Sequence, residues 1–120
     1  MKDMWHQLLL ARTGQVLASR LAVASTRRAR MVGLLDHRTL QDGEALFLPN
    51  CRSIHTWGMR FPIDAIFVDA AWRVVALKPG LGPWRVVPPI WSAWGTIELA
   101  QGTIGRTGLR IGDPLHLEKS

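Results

Sequence analysis

"CRSIHTWGMRFPIDAIFVD", residues 51–69, decides how this chain is read. It sets a thiol, an imidazole, two arginines and two carboxylates into a frame of Ile, Phe and Val. β-Branched and aromatic residues suit a pleated surface, so residues 51–57 and 63–68 are predicted as strands. Alternation sorts each strand into two faces. Cys51, Ser53, His55 and Trp57 point one way, and Arg52, Ile54 and Thr56 the other. Ile63, Ala65 and Phe67 likewise alternate with Asp64, Ile66 and Val68. "GMRFP" reads as the connector. With Arg60 at the centre of a hairpin, Asp64 would face Thr56. A slip of one residue would set it beside His55 or Trp57.

The same signals extend outward. Residues 6–12 and 15–21 form a predicted hairpin around Thr13-Gly14. The period then changes in "STRRARMVGLLDHRTL", where Ser25 or Thr26 can cap a helix predicted over residues 27–35. Its arginines fall mostly on the exposed side. A loop through Asp42-Gly43 leads to a strand at 45–48 that Pro49 stops. A strand at 73–78 follows the opening segment. "KPGLGPW" and "VPPIW" are Pro/Gly-rich breaks that no long helix can cross. "SAWGTIELA" is extended, "QGTIGRTG" makes a short helical turn closed by Gly108, and a Gly112-Asp113 turn introduces a last strand. The expected fold is one domain over residues 1–120, α+β but mainly β. It is a small barrel-like domain of short strands with one clear helix and a short second helix.

Composition sets further bounds. At 120 residues and 48% apolar content the chain can bury a core without disulfides. A single cysteine excludes an internal disulfide and suits a reducing compartment. The first residues contain no apolar run long enough for a signal peptide or a bilayer span. A cytoplasmic protein without membrane contact is expected. The net charge is +6, and twelve of the fifteen cations are Arg. Arg favours anions, yet only "RRAR" at 27–30 is a cluster. Weak nucleic-acid binding is therefore one reading, and specific nucleic-acid binding is not expected.

The chemistry is sparser. Along a strand, Cys51 and His55 share a face but stand roughly 13 Å apart, too far for direct activation of the thiol. Asp64 heads an otherwise apolar strand, where an unpaired carboxylate is costly. Its expected partners are Arg52, Arg60, Thr56 or backbone N–H groups of the turn, with His55 near enough to share a proton. The alternative is that Asp64 only anchors the hairpin. His6, His37, His55 and His116 are scattered without ligand spacing, so neither a metal nor a cofactor is expected. Trp57, Trp84, Trp91 and Trp94 either floor a pocket or pack the core.

From residue 31 to 117 the chain resembles the DUF192 family, also called UPF0127, small bacterial and archaeal domains of unestablished role. "GLLDHRTLQDGEALFLPNCRSIHTWGMRFPIDAIFVDAAWRVVAL", "PW", "IELAQGT" and "IGDPLHL" stand in family order. The resemblance implies a compact, mainly β domain with a hot region at His55, Thr56, Met59, Pro62 and Asp64. Glu98 and Gly102 lie in the other motif. One departure is Trp72, which stands where the family usually has Gly. A positive φ would strain it, so a differently shaped turn is expected here. Some relatives carry an export signal, and none is expected for this chain.

The candidate ligand-binding residues are Arg52, His55, Thr56, Met59, Arg60, Asp64, Trp84 and Glu98. They serve a binding or accessory domain for a small polar or anionic ligand, or for a partner peptide. The other class is an enzyme with Asp64 and His55 as an acid–base pair and Cys51 nearby.

Overall fold

The computed structural model describes residues 5–24, 40–56 and 61–119. Nine strands and a short helix follow in order: β1 (His6–Leu10), β2 (Gln15–Val23), β3 (Glu44–Pro49), β4 (Ile54–His55), β5 (Ile63–Val68), β6 (Val74–Leu81), β7 (Val86–Val87), β8 (Gly95–Ala100), α1 (Thr103–Thr107) and β9 (Leu115–Lys119). The helix predicted over 27–35 lies outside the described residues. The short one at 103–107 is present, and Gly108 closes it in left-handed backbone at φ 69°.

Seven strands form one sheet in the order β6-β5-β8-β3-β2-β1-β9, and β4 with β7 forms a separate two-stranded ribbon. All described pairs are antiparallel except β2 with β3. The large sheet curls until its edges meet. Arg73 bridges Pro114. The Val74 N–H donates to the Asp113 carbonyl (3.0 Å) and the Gly112 N–H to the Val74 carbonyl (2.7 Å). The seam thus seals the start of edge strand β6, and the expected mainly β, barrel-like fold is what forms. At its far end β6 is blunted by Pro79, which has no N–H, and by a register shift.

The curl creates two faces. Inside lie Leu8, Leu21, Phe47, Ile66, Val68, Ile97 and Leu99. On the outer side Ile63, Ala65 and Phe67 pack beneath Ile54 and Val87 of the ribbon. Strands β5 and β8 are therefore buried on both faces along their whole length. This explains why "IDAIFV" is almost continuously apolar. Where β8 starts, a Cβ on Gly95 would come within 2.6 Å of the Phe47 ring, so only glycine lets these strands close up.

Three expectations need correction. The segments expected at 51–57 and 63–68 are not hairpin partners in their described parts: β4 pairs with β7, and β5 lies between β6 and β8. Asp64 is therefore opposite Leu99, not Thr56. A strand apolar on both faces gains most from a central place, while 53–56 has one apolar face and serves as cover. Second, the break expected at "KPGLGPW" is partly strand, because β6 runs through Pro79 and Gly80 to Leu81, as an edge strand can. Third, the turn after Asp69 keeps a positive φ, 62° at Trp72. The Asp69 carboxylate accepts the N–H groups of Ala71 (2.9 Å) and Arg73 (3.0 Å). The indole packs against Phe47 at 4.8 Å, and Phe47 also meets Trp94. Aromatic packing offsets the backbone strain that Gly would avoid.

Candidate functional site

Asp64 lies on the inner face, 1% exposed, with both carboxylate oxygens engaged. Oδ1 accepts the Gly80 N–H (2.9 Å) and Oδ2 the Ile104 N–H (2.8 Å). Helix α1 needs this. Its N-cap, Gly102, has no side chain to satisfy the first-turn N–H groups, so a carboxylate from β5 serves instead. Bonds to a charged acceptor contribute roughly 1.5–3 kcal/mol each. Asp64 thus ties β5 to β6 and to the helix. Backbone N–H partners were among those expected, but these come from β6 and α1 rather than from the 58–62 connector.

Glu98 is fully buried on the opposite face. Its register partners are Leu46 on β3 and Ala65 on β5, and Ala65 in turn pairs with Lys78 on β6. Directly paired residues share a face. Lys78 and Glu98 therefore flank Ala65 in one row, about 10 Å apart across two strand spacings.

The ribbon covers this outer face. Ile54 and Thr56 are buried beneath it, whereas Ser53 and His55 are half-buried, the alternation expected from the sequence. His55 is paired with Val86, which is exposed. Arg52 is exposed and its Nε donates to the Ala93 carbonyl at 2.9 Å. The Cys51 thiol donates to the Ser53 carbonyl at 2.9 Å. Met59 and Arg60 lie outside the described residues. Asp64 and His55 thus belong to different layers, and the proposed acid–base pair is not assembled.

Thr56 has a distinct task. Its hydroxyl donates to the Gly82 carbonyl (2.7 Å) and accepts the Arg85 N–H (2.8 Å). Its backbone N–H donates to the Arg85 carbonyl (2.9 Å), and its carbonyl accepts the Trp84 N–H (3.4 Å). A single buried threonine therefore fixes the whole 82–85 turn. Trp84 sits in that turn at φ 64° and is 72% exposed.

Between the far end of β6 and the 85–88 segment runs an open groove of about 340 Å³, lined by Lys78, Pro79, Gly80, Leu81, Arg85, Val86, Val87 and Pro88. Lys78 is half-buried and Arg85 exposed. Among the described residues neither cation has a carboxylate partner, whereas Arg12, Arg20 and Arg106 each lie beside one. The sequence offered a signal for this groove that composition alone hides. Residues 70–97 contain no Asp or Glu but carry Arg73, Lys78 and Arg85. Of the predicted residues the structure brings Thr56 and Trp84 to the groove's turn. Asp64 reaches it only through the Gly80 backbone. Among the described residues no group of three His, Cys, Asp or Glu side chains is placed to hold a metal ion. No described helix is long and apolar enough to cross a membrane.

Comparison with known proteins agrees with this architecture. The family model DUF192, described as "Uncharacterized ACR", matches residues 8–117. A UPF0127 protein of Thermococcus sibiricus is 33% identical over 109 residues, covering 88% of this chain and 70% of the relative. A solved protein of unknown function from Novosphingobium aromaticivorans superposes with a TM-score of 0.76 at 21% identity, over 93% of this chain and 83% of its own. A Sinorhizobium meliloti protein, described as a candidate transcription regulator, also gives 0.76, at 18% identity over 93% and 91%. These two likenesses concern the fold alone.

Proposed function

Since the chain belongs to the DUF192 family, whose biochemical role is open, we propose its function from its own geometry: a binding or accessory domain that holds a small anion in the groove between β6 and the ribbon. One observation carries this reading. Lys78 and Arg85 line a common groove with no carboxylate to neutralise them among the described residues. Two cations lining one groove on a stretch of chain without acidic residues attract an anion more than either alone. Arg85 supplies a planar fork for a carboxylate or phosphate, and Lys78 a point charge. The groove's volume falls within the range of small-molecule sites.

Asp64 supports the groove from behind by fixing Gly80 in its wall. The enzyme reading has weaker support, since Asp64 and His55 occupy separate layers. A surface for nucleic acid is weakened because Arg12, Arg20 and Arg106 lie beside acids.

The test is a titration with inorganic phosphate followed by amide chemical shifts. Saturable shifts at Lys78, Gly80, Leu81, Arg85 and Val86 are expected, and the double variant K78A/R85A should lose them. Shifts spread evenly over all arginines would overturn the reading.

A further inference from the structure

The groove between β6 and the ribbon holds more than its two cations. Five of its eight lining residues, Pro79, Leu81, Val86, Val87 and Pro88, have apolar side chains. Pro79, Val86 and Pro88 are exposed and Leu81 is half-buried, so an apolar wall stays open beside Lys78 and Arg85. One exposed valine is ordinary. Four accessible apolar side chains lining one groove with two cations that have no described carboxylate partner make a wall of two characters. The backbone offers an anion little. Pro79 and Pro88 lack an N–H, the Gly80 N–H donates to Asp64 (2.9 Å), and the Arg85 N–H to the Thr56 hydroxyl (2.8 Å). Phosphate sites typically rest on several backbone N–H groups aimed at one point.

Building on the anion-binding reading, we propose that the groove's ligand is a small aliphatic carboxylic acid. Arg85 takes the carboxylate in its planar fork, and Lys78 adds a point charge. The aliphatic body lies against Leu81, Val86 and the two prolines, and removes their surface and its own from water. The described lining holds no aromatic ring on which a planar body could stack. A carboxylate carries a single charge, which two side-chain cations can meet without a nest of N–H groups. Residues 70–97 contain no Asp or Glu, so this stretch supplies no carboxylate of its own to compete for the cations. Apolar walls with a few polar groups that fix orientation are the usual make-up of a small-molecule site.

The experiment titrates the full chain by NMR with acetate, isocaproate, isoamyl alcohol, isoamyl phosphate and inorganic phosphate. Isocaproate should bind about tenfold tighter than acetate, as burial of roughly two methylenes would give. Its methyl protons should show contacts to the methyls of Val86 and Leu81. Val86→Thr keeps the branched shape but sets a hydroxyl on the wall. It should cut the preference by about threefold and leave acetate binding in place. Equal affinities for acetate and isocaproate would overturn the aliphatic ligand and leave the anion groove standing. Isoamyl alcohol binding as tightly as isocaproate, or isoamyl phosphate binding tighter, would overturn the carboxylate. Tight isocaproate binding without contacts to Val86 or Leu81 would put the ligand elsewhere and overturn the proposal. Failure of every anion, inorganic phosphate included, would overturn both readings together.

Discussion

Trp72 and Trp84 both hold left-handed backbone, at φ 62° and 64°, yet the first packs against the core and the second is 72% exposed. The regions around them differ in the same way. At the barrel seam, polar groups are satisfied within the chain. Asp69 accepts two backbone N–H groups and Asp113 pairs with Arg12. Along the groove, Lys78 and Arg85 have no carboxylate partner among the described residues. Strain near a core is offset by burial. At the exposed turn the backbone is held instead by Thr56, through Gly82 and Arg85.

The largest expected difference lies in the two alanine variants. Trp72→Ala should lower stability by about 3 kcal/mol, the low end for removing an aromatic from a core, because Trp72 is partly buried against it. Trp84→Ala should change it by no more than about 0.5 kcal/mol, as for an exposed side chain. Urea unfolding of both variants measures this directly. Equal losses would break the comparison, because Trp84 would then be a packing residue.

Asp64→Asn should come next, at about 2 kcal/mol. An amide can accept from one of the two N–H groups but turns its own NH₂ toward the other. Thermal melts beside phosphate titrations show whether binding follows. Because Asp64 holds Gly80 in the groove wall, weaker phosphate binding is expected along with the lower stability. Full stability in the variant would mean that the two backbone bonds add nothing.

Glycine gives the smallest and most discriminating effect. Trp84→Gly removes the strain and should raise stability by about 0.5 kcal/mol, the relief being partly cancelled by a freer unfolded chain. Trp72→Gly should still lose most of what Trp72→Ala loses, because the packed ring is gone. If both glycine variants moved in the same direction, the distinction between offset and exposed strain would have no basis.

The chain's own order of residues determined its class. Period-two patterns and turn residues placed β1, β2, β3, β5, β8 and β9, the short helix and its closing Gly108, because these depend on near neighbours. Alternation also separated Ile54 and Thr56 from Ser53 and His55, and the structure turns the first pair inward while leaving Arg52 exposed. The sequence marked Asp64 as unusual too, since a carboxylate inside an apolar strand needs a partner, while Glu98 stood out only through the family resemblance. Tertiary structure alone decided who the partners of Asp64 are. Asp64 reaches an amide 40 residues away on α1, and β5 finds β8 rather than β4. Pairing follows the burial gained over the whole sheet, and a local pattern carries no record of that sum. The same holds for the groove. Lys78 and Arg85 read as two ordinary surface cations until the end of β6 and the Thr56-bound turn bring them to one cleft, because convergence in space is fixed by long-range contacts and not by spacing along the chain.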